Sequence, residues 1–184
     1  HYHEKGQPPF RTLTSLPFED AKAILCAGMT EKTAFDADHF LTLRYERDKT
    51  LRELFLAIGG KPVRTAPVYF TLGENEGLKT WFDEPACVKI PFSQFDPDTV
   101  SFTYGDSFVT INPALDTGEE WWGKVFRYSN ILKLVERYGF PEDPPYHMAR
   151  RVFPKDKHIN HCLKFVEAHV WSDGALDAYR LGMD

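Results

Sequence analysis

The stretch Cys162-Leu163-Lys164-Phe165-Val166-Glu167-Ala168-His169-Val170-Trp171 is apolar on both of its alternating faces. In an extended chain successive side chains point to opposite sides, so Leu163, Phe165, Glu167, His169 and Trp171 share one face and Val166, Ala168 and Val170 the other. A strand covered on both sides sits at the centre of a sheet. Glu167 and His169 therefore project into enclosed space or a cleft, where an unpaired charge is costly and shifts its pKa or finds a partner. Two readings follow for the pair. One is a general acid/base or ligand-binding couple with an arginine or tyrosine close by; the other is a structural Glu–His hydrogen bond or an exposed strand end.

Working outward from this strand, the region from Val68 onward carries further strand patterns at Val68–Leu72, Cys87–Ile90, Val100–Tyr104 and Ser107–Ile111. Gly105-Asp106 between the last two is a Gly-first loop suited to a type II′ hairpin. Asn75–Phe82 suits a short helix, and Phe95-Asp96-Pro97-Asp98 has the residues of a turn. Before Val68 the pattern is helical, apart from a short alternating strand at Phe10–Thr14. Pro17, Glu19 and Asp20 open a helix over roughly residues 17–27, with Gly28 as its stop. A second helical stretch runs from Asp36 to Ile58 with Phe40, Leu43, Leu51, Leu54, Phe55 and Ile58 on one side, ending at Gly59-Gly60. Thr50-Leu51-Arg52-Glu53 matches a capping box, so the stretch is one helix or two.

Later in the chain, Asn112–Gly123 reads as a surface loop. Ser129 then caps a helix that carries Ile131, Leu132, Val135 and Tyr138 and stops at Gly139 and Pro141. Pro141–Asn160 reads as a long ordered loop, and the tail after Ser172-Asp173-Gly174 as a short helix. Helices first, strands after, and no regular βαβ alternation predict a single α+β domain over residues 1–184: a mainly antiparallel, meander-like twisted sheet with the N-terminal helices and one later helix packed against it.

Composition narrows the function classes. Of 184 residues, 42% are hydrophobic and 15% aromatic, enough apolar surface to offset the chain entropy of folding. A net charge of −5 supplies no basic stripe for an extended duplex nucleic acid, although one nucleotide in a pocket is compatible with it. No stretch approaches the ~20 apolar residues that span a bilayer, and His1–Gly6 lacks a secretory pattern. Cys26, Cys87 and Cys162 are odd in number and widely spaced, which predicts buried thiols in a reducing, cytoplasmic setting. The partners predicted are an anionic small molecule or another protein.

Beyond Glu167 and His169, two further groups are candidates. Arg44 and Arg47 fall on or beside the apolar stripe of the second helix, and an inward guanidinium binds carboxylate or phosphate in bidentate fashion. The hairpin tip gathers Tyr104, Asp106 and Ser107, a phenol, a carboxylate and a hydroxyl, around a turn. His158-x-x-His161 has metal-compatible groups without a defined ligand spacing, so no metal site is assigned. His1 and His3 are given no role. Phosphate-binding glycine loops, the G-x-S-x-G elbow and kinase signatures are absent from the sequence, and no cofactor is named from the residues.

The run Leu13-Thr14-Ser15-Leu16, continuing to Ile24-Leu25 and Gly28-Met29, resembles the strand-to-helix opening of DNA-modifying ADP-ribosyltransferases. The resemblance covers a short part of the chain. It implies NAD binding, and a glutamate on a late strand, as at Glu167, resembles that group's catalytic position. Two functions are thus open: an enzyme or ligand-binding domain for a nucleotide-like anion, or a regulatory interaction domain anchored by the aromatic segment Trp121-Trp122-Gly123-Lys124-Val125-Phe126.

Overall fold

A computed structural model of the protein describes residues 1–27, 36–116, 118–141 and 165–180. In chain order the main elements are β1 (Tyr2–Glu4), α1 (Phe18–Ala27), α2 (Ala37–Ala57), β2 (Val68–Thr71), α3 (Glu76–Lys79), β3 (Pro85–Cys87), β4 (Val100–Tyr104), α4 (Ser107–Thr110), α5 (Tyr128–Tyr138), β5 (Val166–Val170) and α6 (Gly174–Arg180). The fold is α+β, with two antiparallel sheets: β1 with β3, and a three-stranded sheet in the order β2-β5-β4. As the two apolar faces of its sequence require, β5 is the central strand, and every residue of it is buried.

Register fixes what each face of this sheet carries. Val68, Phe70, Val100, Phe102, Tyr104, Val166, Ala168 and Val170 lie on one face and form the main apolar core with Ile131 and Leu134 of α5 and Leu176 of α6. The opposite face is a lattice of polar side chains: Thr71, Glu167 and Thr103 in one row, Tyr69, His169 and Ser101 in the next. A second apolar cluster closes that face at one end, where Leu51 and Phe55 of α2 pack with Trp171, Ile111 and Val125. Phe55 and Trp171 are fully enclosed, each removing the equivalent of ~1.5–3 kcal/mol of apolar exposure from water.

Helix α2 is one continuous helix of 21 residues capped by the Asp36 side chain, which accepts from the His39 N–H. The Thr50–Glu53 pattern does not break it; the Thr50 hydroxyl donates to the Glu46 carbonyl within the helix. Its buried stripe is Ala37, Leu41, Asp48, Leu51 and Phe55. This lies beside the side read from sequence: Phe40, Leu43 and Leu54 are half-buried flanks, and Ile58 is exposed at 42%.

Several expectations are corrected. Ser107–Ile111 is not a strand and forms no hairpin with Val100–Tyr104. Gly105 adopts a φ of +117°, a left-handed region open to glycine, and the Asp106 side chain then caps α4 by accepting from the Phe108 N–H at 2.7 Å. With Ser107–Thr110 coiled, β4 pairs with β5 instead. The sheet is consequently not a meander, because the last strand lies between two earlier ones. Phe10–Thr14 is not a strand either: Pro8-Pro9 and the positive φ of Phe10 (62°) break extension, Leu13–Ser15 forms a 3-10 turn, and the strand of this region is Tyr2–Glu4. Cys87–Ile90 contributes only its first residue to a strand, β3, which begins earlier at Pro85. Arg127, two residues ahead of Ser129, occupies the N-cap of α5.

Cys26 and Cys87 are exposed free thiols, not buried ones. Residues 142–160 of the proposed loop, together with Gly28, Met29, His158, His161, Cys162 and Leu163, lie outside the described residues. Among the described residues no helix is long and apolar enough to cross a membrane.

Candidate functional site

The polar lattice opens at the end of the sheet where β2 stops at Thr71 and β5 is entered from Phe165. A cavity of about 200 Å³ lies there. Its polar wall is Arg44, Tyr69, Thr71, Asp106 and Glu167, and its apolar wall includes Tyr2, Leu78, Trp81, Phe82 and Phe165. Trp81 is 57% exposed at this opening. Concave sites that are mostly apolar, with a few convergent polar groups, are where small ligands bind.

Glu167 is the best-defined group of the wall. Its Oε2 accepts from the Ser107 backbone N–H at 2.8 Å and is 3.1 Å from His169 Nε2. Its Oε1 accepts nothing from the described residues and is the oxygen left for the cavity. Burial pushes the carboxyl group upward, but the hydrogen bonds from His169 and Ser107 outweigh it and hold Glu167 below the ordinary carboxylate range. The group is ionised at neutral pH.

Arg44 arrives from α2. Its guanidinium sits 4.7 Å from the Tyr69 ring centroid and makes no hydrogen bond to a described residue. Burial alone would lower its pKa, whereas Tyr69 and the carboxylates of Asp48, Glu167 and Asp106 raise it, so the cation is held firmly charged. Beneath it, Asp48 is 3% exposed and accepts from both the Thr14 hydroxyl and the Tyr69 phenol. Burial raises the Asp48 carboxyl group, with Arg44 and these two donors opposing. Burial also raises the Tyr69 phenol well above its usual value, keeping it a donor.

The remaining predicted residues separate. Asp106 lines the cavity near Arg44 and Glu167. Ser107 is fully enclosed; its backbone serves Glu167, and its hydroxyl lies beside that carboxylate without a hydrogen bond of good geometry. His169 is fully enclosed and lies behind Glu167, not on the cavity wall. Arg47 packs 5.5 Å from the Phe108 ring centroid, away from the cavity wall, with its Nε buried and unpaired. Tyr104 lies on the opposite, apolar face and donates to the Gly139 carbonyl.

No family model, curated protein or solved structure matches this chain.

Four contributors were not singled out in sequence. Tyr69 and Trp81 line the cavity, and Asp48 lies beneath it, accepting from the Tyr69 phenol. The signal for Asp48 and Arg44 was present: Ala37, Leu41, Arg44, Asp48, Leu51 and Phe55 recur at alternating spacings of four and three, one helix face with two charges in it. His1, given no role, lines the cavity; its Nε2 accepts from the Phe10 N–H at 3.1 Å, so its Nδ1 carries the proton and donates to the Tyr69 carbonyl at 2.8 Å. Conversely, the aromatic segment read as an interface is partly taken up in packing. Trp122 is buried and its indole donates to the Asn112 carbonyl, while Trp121 packs against Tyr104 and Tyr138. Among the described residues no cluster of three or more His, Cys, Asp or Glu could hold a metal.

Proposed function

We propose that this domain is an enzyme acting on a nucleotide-like anion by chemistry like that of the ADP-ribosyltransferases, a reading that rests on the late-strand Glu167 and not on the opening, where Leu13–Ser15 is a 3-10 turn in place of a strand. One observation carries the reading: an ionised carboxylate oxygen of Glu167 and the Arg44 guanidinium, which makes no hydrogen bond to a described residue, share one aromatic-walled cavity. Arg44 suits a phosphate arm, because a guanidinium offers several donors in one plane. Trp81 and Phe82 suit a planar base by stacking.

Glu167 and Asp106 place negative charge where a sugar carbon turns cationic as its bond to a departing base breaks. The electron pair of that bond leaves with the base, and a nicotinamide departing from NAD leaves neutral. A lone pair of the acceptor then bonds to the same carbon, and the acceptor's proton passes to Glu167 or to water. Exposed, unpaired Cys26 and Cys87 fit a reducing compartment such as the cytoplasm.

The test is nicotinamide release from NAD, followed chromatographically, together with calorimetric titration of adenosine diphosphate. Glu167→Gln should slow release by about 100-fold with little change in diphosphate affinity. Arg44→Met should weaken diphosphate binding by about tenfold or more. Absence of both diphosphate binding at millimolar concentration and nicotinamide release overturns the proposal.

A further inference from the structure

Behind the cavity, four side chains from two adjacent strands and the residue that follows β5 form a line of hydrogen bonds that ends at Glu167 on the cavity wall. Trp171 Nε1 donates to Ser101 Oγ at 2.9 Å, Ser101 Oγ lies 3.2 Å from His169 Nδ1, and His169 Nε2 lies 3.1 Å from Glu167 Oε2. Trp171, Ser101 and His169 are all fully enclosed.

The proton positions follow from the donor inventory alone. An indole N–H only donates, so Ser101 Oγ accepts it and keeps its own proton to give. The one acceptor in line is His169 Nδ1, which must then be bare. The ring's single proton sits on Nε2 and is donated to the Glu167 carboxylate, which already accepts the Ser107 N–H. A doubly protonated ring would turn Nδ1–H toward an oxygen that already accepts from the indole, stranding the serine proton in an enclosed site. Every bond therefore runs one way, from Trp171 to Glu167.

Other groups packed around the line do not reverse it. Tyr69 lies edge-on to the His169 ring with centroids 5.5 Å apart, and its hydroxyl is spent on Asp48. Asp48 and Arg44 of α2 face the same lattice, and Asp106 stands ahead of α4.

We infer that Trp171 and Ser101 are positioning residues that act through His169, fixing its Nε2–H tautomer and thereby the charge and orientation of Glu167. This assigns His169 the role of holder in place of acid or base, and it rests on the reading of Glu167 as the reactive carboxylate. Hydrogen-bonded partners behind a functional group commonly set its orientation and basicity in this way.

The experiment uses the full chain without ligand, so its outcome is separate from that of the proposed reaction. Imidazole nitrogen resonances at neutral pH should show His169 with a bare Nδ1 and a protonated Nε2. In Ser101→Ala, which removes the donor to Nδ1, the Glu167 carboxylate carbon should titrate about one pH unit higher than in wild type, a tenfold gain in proton affinity. Trp171→Phe, which keeps an aromatic ring in the core, should move the midpoint the same way by a smaller amount, and it serves if Ser101→Ala does not fold. If wild type releases nicotinamide, Ser101→Ala should lower kcat about tenfold with KM unchanged. A protonated Nδ1 in wild type, or an unmoved Glu167 midpoint in the folded variants, overturns the inference whatever the reaction proves to be. A supported relay without any nicotinamide release would overturn only the proposed activity.

Discussion

Replacing Glu167 separates the charge of this residue from its shape. Both hydrogen bonds to the side chain converge on one oxygen, Oε2. In Glu167→Gln the amide carbonyl takes that place, keeps both bonds and turns the NH₂ toward the cavity. Each bond loses its charge assistance, a cost of ~1 kcal/mol apiece. Relief from burying a carboxylate that is only 8% exposed opposes this cost. The net change in stability should stay within ~2 kcal/mol.

Glu167→Ala instead strands the Ser107 N–H and the His169 Nε2–H, at ~1–3 kcal/mol each. For a domain of this size that is a fall in melting temperature of roughly 5–20 °C. Because the folded pKa of Glu167 lies below its unfolded value, its ionisation stabilises the fold above about pH 4.3. That contribution is lost as pH falls through the lower folded value. Urea denaturation of wild type and both variants between pH 3 and 7 is the assay, and the gap between wild type and Gln should close at the acid end. If Gln proves as destabilised as Ala at neutral pH, the charge itself holds the fold and its availability for chemistry is refuted.

Asp48 should show the opposite pH dependence. Its folded pKa is raised, so wild-type stability falls as pH rises above the unfolded value, and Asp48→Asn should remove that slope in urea midpoints. Gly60→Ala should cost ~1–3 kcal/mol in thermal melts, because a Cβ at Gly60 overlaps the enclosed Phe55 ring and neither can retreat. Trp81→Ala should leave the melting temperature nearly unchanged, given its exposure, while weakening adenosine diphosphate binding about tenfold by calorimetry.

The architecture of the central sheet was legible in the sequence because its cause is local and periodic. Two apolar faces on Val166–Val170 placed it centrally, and a spacing of two put Glu167 and His169 on one side. The order of strands was not legible. Gly105-Asp106 suits a tight hairpin and a capped helical turn equally well, and the choice was made by the long-range pairing of β4 with β5, which no local pattern encodes. The same limit applied to the site. Asp48 was not singled out, because the hydrogen bonds that commit it come from Thr14 and Tyr69, both distant in sequence. Tyr104 looked like part of a ligand turn, yet strand alternation sends it to the apolar face, two residues from Phe102.

The claim that Arg44, Trp81 and Glu167 engage one ligand in one cavity is tested most directly by mapping resonance shifts while adenosine diphosphate is titrated into the isotopically labelled protein. The account predicts that the Trp81 indole and Arg44 guanidinium signals move together and saturably, with smaller changes at the Ser107 N–H that holds Glu167. Saturable shifts confined to the Trp121 and Tyr138 side of the sheet, or none at millimolar ligand, would contradict it.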